Sequence, residues 1–167
     1  MAVTFLLGGA RSGKSRRAQQ LAEAASSKRI FIATAEPLDD EMTARIAAHQ
    51  ADRGAGWVSV EAPLDLVAAL RESVGPGCVV VVDCLTLWLS NLMHHERDVD
   101  DEIAQLVTAL ASPGELFLVS NEVGLGLVPE TALGRRFRDH QGRLNQAVAA
   151  ASDRVEFIAA GLPLILK

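Results

Sequence analysis

Apolar runs of strand length recur along this chain: VTFLL, RIFIATA, WVSVE, CVVVVD, LFLVS, RVEFIAA and PLILK. Between them lie longer stretches with helical spacing, at Ser15–Ala25, Asp39–Arg53, Leu64–Glu72, Leu85–His94, Asp100–Ala111 and Thr131–Ala151. The alternation predicts an α/β fold, with a mostly parallel sheet of about seven strands covered by helices. CVVVVD has no polar alternate before its acid, which predicts a central strand packed on both faces with Asp83 at its C-terminal end. RVEFIAA-GL-PLILK reads as two strands around a tight turn at Gly161-Leu162, an antiparallel hairpin at the sheet edge. No repeat or linker divides the chain, so residues 1–167 are expected to form one domain.

Composition narrows the partners. The net charge is −5 over 167 residues, with acids and bases interspersed, and no basic tract offers itself to a nucleic-acid backbone or an anionic membrane. No apolar stretch approaches the roughly 20 residues of a membrane span, and no basic-then-apolar leader opens the sequence. Cys78 and Cys84 flank a strand, which holds their Cα atoms about 20 Å apart and forbids a disulfide. These features lead us to expect a soluble cytoplasmic protein that acts on small molecules.

GGARSGKS fits the phosphate-loop pattern G-x-x-x-x-G-K-[ST], with Gly8, Gly13, Lys14 and Ser15 in the fixed places, a strand before and a helix after. Gly9, Ala10, Arg11 and Ser12 complete a turn whose backbone N–H groups can wrap phosphate oxygens at a helix N-terminus. Lys14 is expected to meet the β- and γ-phosphates, and Ser15 to present its hydroxyl to Mg²⁺ opposite the carboxylate of Asp83. A regulatory GTPase would carry glycine three residues after that acid and N-K-x-D after a later strand. Here CLT and NEVG stand in those places, so that class is disfavoured.

DDEMTARIAAHQADR raises a second chemistry. Arg45, His49 and Arg53, joined by Met42, fall within about an 80° arc of the predicted helix, opposite an alanine face. The arginines suit phosphoryl oxygens, and their charge favours a neutral, nucleophilic imidazole between them. Spacing alone leaves two readings open: a solvated histidine on the lid of an ordinary kinase, or a nucleophile toward phosphorus.

Taken together, GGARSGKS, ATAEPLDDEMTARIAAHQADR, DCLTLWLSNLM, SNEVGLGLVPE and GRRFRDHQGRLNQ resemble the bifunctional adenosylcobinamide kinase / adenosylcobinamide-phosphate guanylyltransferase family of cobalamin biosynthesis. The resemblance runs nearly end to end. It implies a recombinase-like phosphate-loop fold, a homotrimer, and a corrinoid substrate. It also implies that ATP or GTP phosphorylates adenosylcobinamide, after which GTP donates GMP through a GMP-histidine intermediate. Carried over by motif position, His49 is the nucleophile. The nucleotide contacts are Gly8 to Ser15, Ala33, Thr34, Ala35, Gln50, Ala51, Asp52 and Arg53, with Glu61 and Asp83 as further carboxylates. A kinase of another small alcohol and a non-catalytic nucleotide sensor are the competing readings.

Other residues stay divided between roles. NEVGLGLVPE, after LFLVS, reads equally as a structural turn or as a loop that handles substrate, with Gly124 and Gly126 giving it freedom; the resemblance implies the second, with Asn121 and Glu122 as candidate polar contacts. Trp57 and Trp88 could stack on a corrin or a base but are expected in the core, and His94 and His95 at a helix end.

Overall fold

The computed structural model describes residues 2–36, 56–111 and 114–167. The expected helix Asp39–Arg53, with His49, Gln50, Ala51, Asp52 and Arg53, lies outside these residues. In chain order the described elements are β1 (Ala2–Gly8), α1 (Lys14–Ala25), β2 (Lys28–Ala33), β3 (Trp57–Glu61), α2 (Leu66–Ser73), β4 (Cys78–Asp83) and α3 (Leu85–His94). They continue with α4 (Val99–Ala109), β5 (Glu115–Asn121), α5 (Ala132–Ala151), β6 (Arg154–Ala159) and β7 (Leu162–Ile165).

The strands form one seven-stranded sheet in the order β3-β2-β4-β5-β1-β6-β7. Every pairing is parallel except β6 with β7. In β4 the period-2 geometry sends Val80 and Val82 to one face, where they join Trp88, Leu89, Leu92, Leu106, Leu144 and Val148 from the helices. Val79 and Val81 face the other way, against Ala18 and Ala22 of α1. Both faces are thus covered, which is why an uninterrupted valine run is buried from Cys78 to Val82. Trp88 is wholly buried, whereas Trp57 is only half-buried and stacks edge-on with Phe31. Both cysteines are free and buried.

Helix boundaries follow capping groups that periodicity does not see. The helix expected from Asp100 begins at Val99 because the Asp98 carboxylate accepts the Asp101 N–H, and Thr131 caps α5 by accepting from Gly134. The terminal hairpin corrects one expectation. Its turn is centred on Ala160 and Gly161, with φ of 51° and 79°, rather than on Gly161-Leu162. Two consecutive positive φ values are what a two-residue turn needs to match strand twist, and Gly161 takes the second place.

The hairpin also buttresses the phosphate loop. Gly161 N–H donates to the Ser12 carbonyl at 2.8 Å, and a Cβ on Gly13 would sit 3.2 Å from the Gly161 Cα. A Cβ on Gly8 would lie 2.4 Å from the Ile158 carbonyl oxygen, so no side chain fits where the loop leaves β1. Among the described residues, no helix is long and apolar enough to cross a membrane.

Candidate active site

The site is built on the C-terminal edge of the sheet, where open α/β folds bind ligands. Its base is the turn from Gly8 to Gly13. Arg11 takes a left-handed φ of 54° and Gly13 a φ of 100°, a path that coils the backbone before α1 starts at Lys14. The N-terminus of α1 therefore points into the coil, and its first N–H groups are available to an anion. Lys14 is buried, with 5% of its surface exposed, and its Nζ donates to the Gly9 carbonyl at 2.5 Å. A second contact, at 3.5 Å, reaches the Ser12 hydroxyl. The ammonium thus bridges two residues of the loop.

Burial holds the Lys14 ammonium below its ordinary value, while negative charge at Cys84 and Asp83 opposes that shift. Burial, with the neighbouring Asp83 charge, pushes the Cys84 thiol up to about 12, so at neutral pH it carries no charge. Asp83 is then the anion that Lys14 feels. This carboxylate closes β4, two strand steps from Gly8, or about 10 Å along the sheet edge.

Thr34 has a different place from the one its neighbours suggest. It is fully buried; its hydroxyl donates to the Cys84 carbonyl at 2.7 Å and accepts the Cys84 N–H at 2.8 Å. Asn91 donates to the Thr34 carbonyl at 2.8 Å and to the Pro63 carbonyl at 2.9 Å. Thr34 therefore pins the end of β2 to the peptide after Asp83, and its hydroxyl is already engaged. Ala33 pairs in register with both Asp83 and Glu61, and Ala35 follows within the same edge. Glu61 is exposed at the end of β3, four strand steps from Gly8, or about 19 Å. The expected contacts consequently fall into two groups, one at the phosphate loop and Asp83, the other at Ala33–Ala35 and Glu61. Residues 37–55 connect the second group in sequence.

The end of β5 completes the first group. Asn121 pairs with Gly8, and the Glu122 N–H donates to the Gly8 carbonyl at 3.0 Å. Asn121 is held at both backbone groups: its N–H donates to the Thr86 hydroxyl at 2.8 Å and its carbonyl accepts from Asn145 at 3.1 Å. Behind it, Ser120, Gln141 and Asn145 share buried hydrogen bonds of 2.8 to 3.0 Å.

One support was not anticipated from sequence. Glu156 of β6 is fully buried and takes hydrogen bonds from Arg17 Nε at 3.0 Å, Arg17 Nη2 at 3.2 Å and Arg154 Nε at 2.8 Å. Burial alone would raise its carboxyl, but the two arginines outweigh that and hold it below the ordinary value. Arg17 lies in the first turn of α1, so this ion pair ties the phosphate-loop helix to the sheet. The available signal was a carboxylate inside an apolar strand run, which demands a buried cation.

Among the described residues no group of three or more His, Cys, Asp or Glu side chains could hold a metal. Ser15 and Asp83 instead suit an ion that takes its remaining oxygens from phosphate and water.

A loop of this geometry, feeding a helix and facing a strand-end acid across an intervening β5, defines a P-loop nucleotide-binding fold of the recombinase-like kind. Solved structures with the same fold include the RadB recombinase, at 13% identity and TM-score 0.56 over 93% of this chain and 73% of that one. The flagellar accessory protein FlaH from Methanocaldococcus jannaschii matches at 14% identity and TM-score 0.54, covering 99% of this chain and 78% of that one. Within that fold, the sequence profile of one family, cobinamide kinase / cobinamide phosphate guanyltransferase, matches residues 4–166, and the chain belongs to this family. It is 48% identical over 166 residues to the bifunctional adenosylcobalamin biosynthesis protein CobP of Pseudomonas aeruginosa, covering 98% of this chain and 96% of that one. CobU of Salmonella typhimurium, a bifunctional adenosylcobalamin biosynthesis protein, is 39% identical over 179 residues, covering 98% of each chain.

Proposed function

We propose that this protein phosphorylates adenosylcobinamide with ATP or GTP and then transfers GMP from GTP to the phosphate, giving adenosylcobinamide-GDP and pyrophosphate. The observation that carries this reading is the family match across residues 4–166 on a chain whose phosphate loop closes around a buried lysine.

In the first reaction the backbone of Gly8 to Ser15 cradles the triphosphate and the α1 dipole favours its charge. Lys14 exchanges its contacts to Gly9 and Ser12 for phosphate oxygens, and the anion offsets what burial costs the ammonium. As the γ-phosphoryl group moves, Lys14 remains beside the charge that develops on the leaving oxygens. The hydroxyl of Ser15 and the carboxylate of Asp83 are hard oxygen donors of the kind Mg²⁺ takes; when bound it would neutralise phosphate charge.

In the second reaction bond cleavage moves to the α-phosphorus, and the GMP group needs a carrier. His49 is that carrier, with Arg45 and Arg53 on the phosphoryl oxygens. Ala33, Ala35, Gln50 to Arg53 and Glu61 serve the nucleotide of this step, and the hydroxyl of Thr34 holds the edge they stand on. The separation of Glu61 from the loop favours different nucleotide placements for the two transfers. A homotrimer working in the cytoplasm is part of the same reading.

The test is product analysis. Incubation with adenosylcobinamide, GTP and Mg²⁺ should give first the phosphate and then the GDP derivative, identified by mass. Phosphorylation of a different alcohol, with no corrinoid turnover, would favour an ordinary small-alcohol kinase. Nucleotide binding with no transfer would favour a sensor.

A further inference from the structure

The proposed kinase step needs a group to accept the proton of the attacking hydroxyl, and nothing assigned so far supplies one. Lys14 is a cation, and Asp83 stands as its counter-charge. A second carboxylate is anchored against the phosphate loop. Glu122 follows β5, and its own N–H is bonded to the carbonyl of Gly8, the first residue of the loop. Thr86 and Asn145 hold the backbone N–H and carbonyl of Asn121, the residue before it.

Its side chain is held as well. One carboxylate oxygen, Oε1, accepts the Gly124 N–H at 2.5 Å. A Cβ on Gly124 would meet that same oxygen at 2.8 Å, so glycine at 124 keeps the carboxylate where it is. Among the described residues no lysine, arginine or histidine forms an ion pair with Glu122. Among those residues its charge is not spent on a structural bridge, in contrast to Glu156.

We infer that Glu122 is the general base of the kinase half-reaction, an inference that rests on the function proposed above. The hydroxyl of the acceptor gives its proton to the Glu122 carboxylate as its oxygen bonds to the γ-phosphorus. The bond from γ-phosphorus to the bridging oxygen breaks, and the electron pair leaves on the nucleoside diphosphate. The Gly124 N–H holds one oxygen of the carboxylate and leaves the other to take the proton.

The two halves of the reaction separate this role from others. Kinase turnover is measured with adenosylcobinamide and ATP, and guanylyl transfer with adenosylcobinamide phosphate and GTP, which bypasses the first step. Glu122→Gln should lower kinase kcat by about 100-fold or more, with the KM for ATP nearly unchanged and guanylyl transfer retained. Gly124→Ala, which displaces the carboxylate without removing it, should lower kinase kcat by about 10-fold with the KM for ATP nearly unchanged. Kinase kcat within threefold (~0.5 log unit) of wild type in Glu122→Gln, or equal loss of both half-reactions, would overturn the inference. Failure of the wild type to phosphorylate adenosylcobinamide would instead overturn the proposed function itself, and this inference with it.

Discussion

Replacing Glu156 by glutamine removes a charge that two arginines share where α1 meets the sheet. The carboxylate is completely buried and receives three hydrogen bonds, two of them from Arg17. Breaking a buried ion pair typically costs about 3–5 kcal/mol, because the remaining charges lose their partner in a poorly solvated place. Here the Arg17 and Arg154 side chains keep 29% and 45% of their surface, so both can turn partly to water. Glutamine also retains one accepting oxygen, which brings the expected loss to about 2 kcal/mol. Urea denaturation of wild type and Glu156→Gln at neutral pH reads the difference directly from the midpoints. Its pH dependence gives a second check. The folded Glu156 carboxyl lies below its ordinary value of 4.5, so its contribution is complete above 4.5 and disappears as pH falls through the lower folded value. The gap between the two proteins should narrow across that acid range. A difference under about 0.5 kcal/mol at neutral pH, or a gap that does not shrink with acid, would show that the pair is not holding the helix.

Lys14→Ala should reduce phosphoryl transfer by about 100-fold or more while leaving the fold intact, measured as kinase kcat alongside thermal melting; near-normal turnover would contradict the loop assignment. Ala160→Asn should stabilise the protein by about 0.5–1 kcal/mol, because Ala160 occupies a left-handed conformation at φ 51° that asparagine tolerates better. Its melting temperature should rise by a few degrees, about 2–4 °C per kcal/mol for a chain of this size, and a fall would mean that Ala160 makes a contact asparagine cannot keep.

Local patterns carried the fold far. The phosphate loop, the buried valine strand ending at Asp83 and the terminal hairpin are each set by residues adjacent in sequence, and each stands as expected apart from the turn centre. The turn moved by one residue because an alanine accepts positive φ at position 160, which its composition does not announce. Strand order was not legible: β5 inserts between β1 and β4, pairing with β1 across 113 residues of sequence and with β4 across 36. The site was legible by type but not by task. Thr34 sits in a motif read as nucleotide-binding, yet its hydroxyl is engaged by Cys84, a residue 50 positions away. The Glu122 N–H bond to Gly8 and the Arg17–Glu156 pair are likewise long-range contacts that periodicity cannot register. His49 stands on sequence and family membership alone.

The carrier role of His49 is most directly tested by locating the label. Purified protein is incubated with GTP labelled at the α-phosphate, or at the γ-phosphate as a control, then denatured, digested and mapped. Label from the α-position alone should remain on the peptide that contains His49, lost in acid and stable in base, and absent from His49→Ala, whose kinase turnover persists. Retention of γ-label, label on another residue, or an unchanged adduct in His49→Ala would contradict GMP transfer through this histidine.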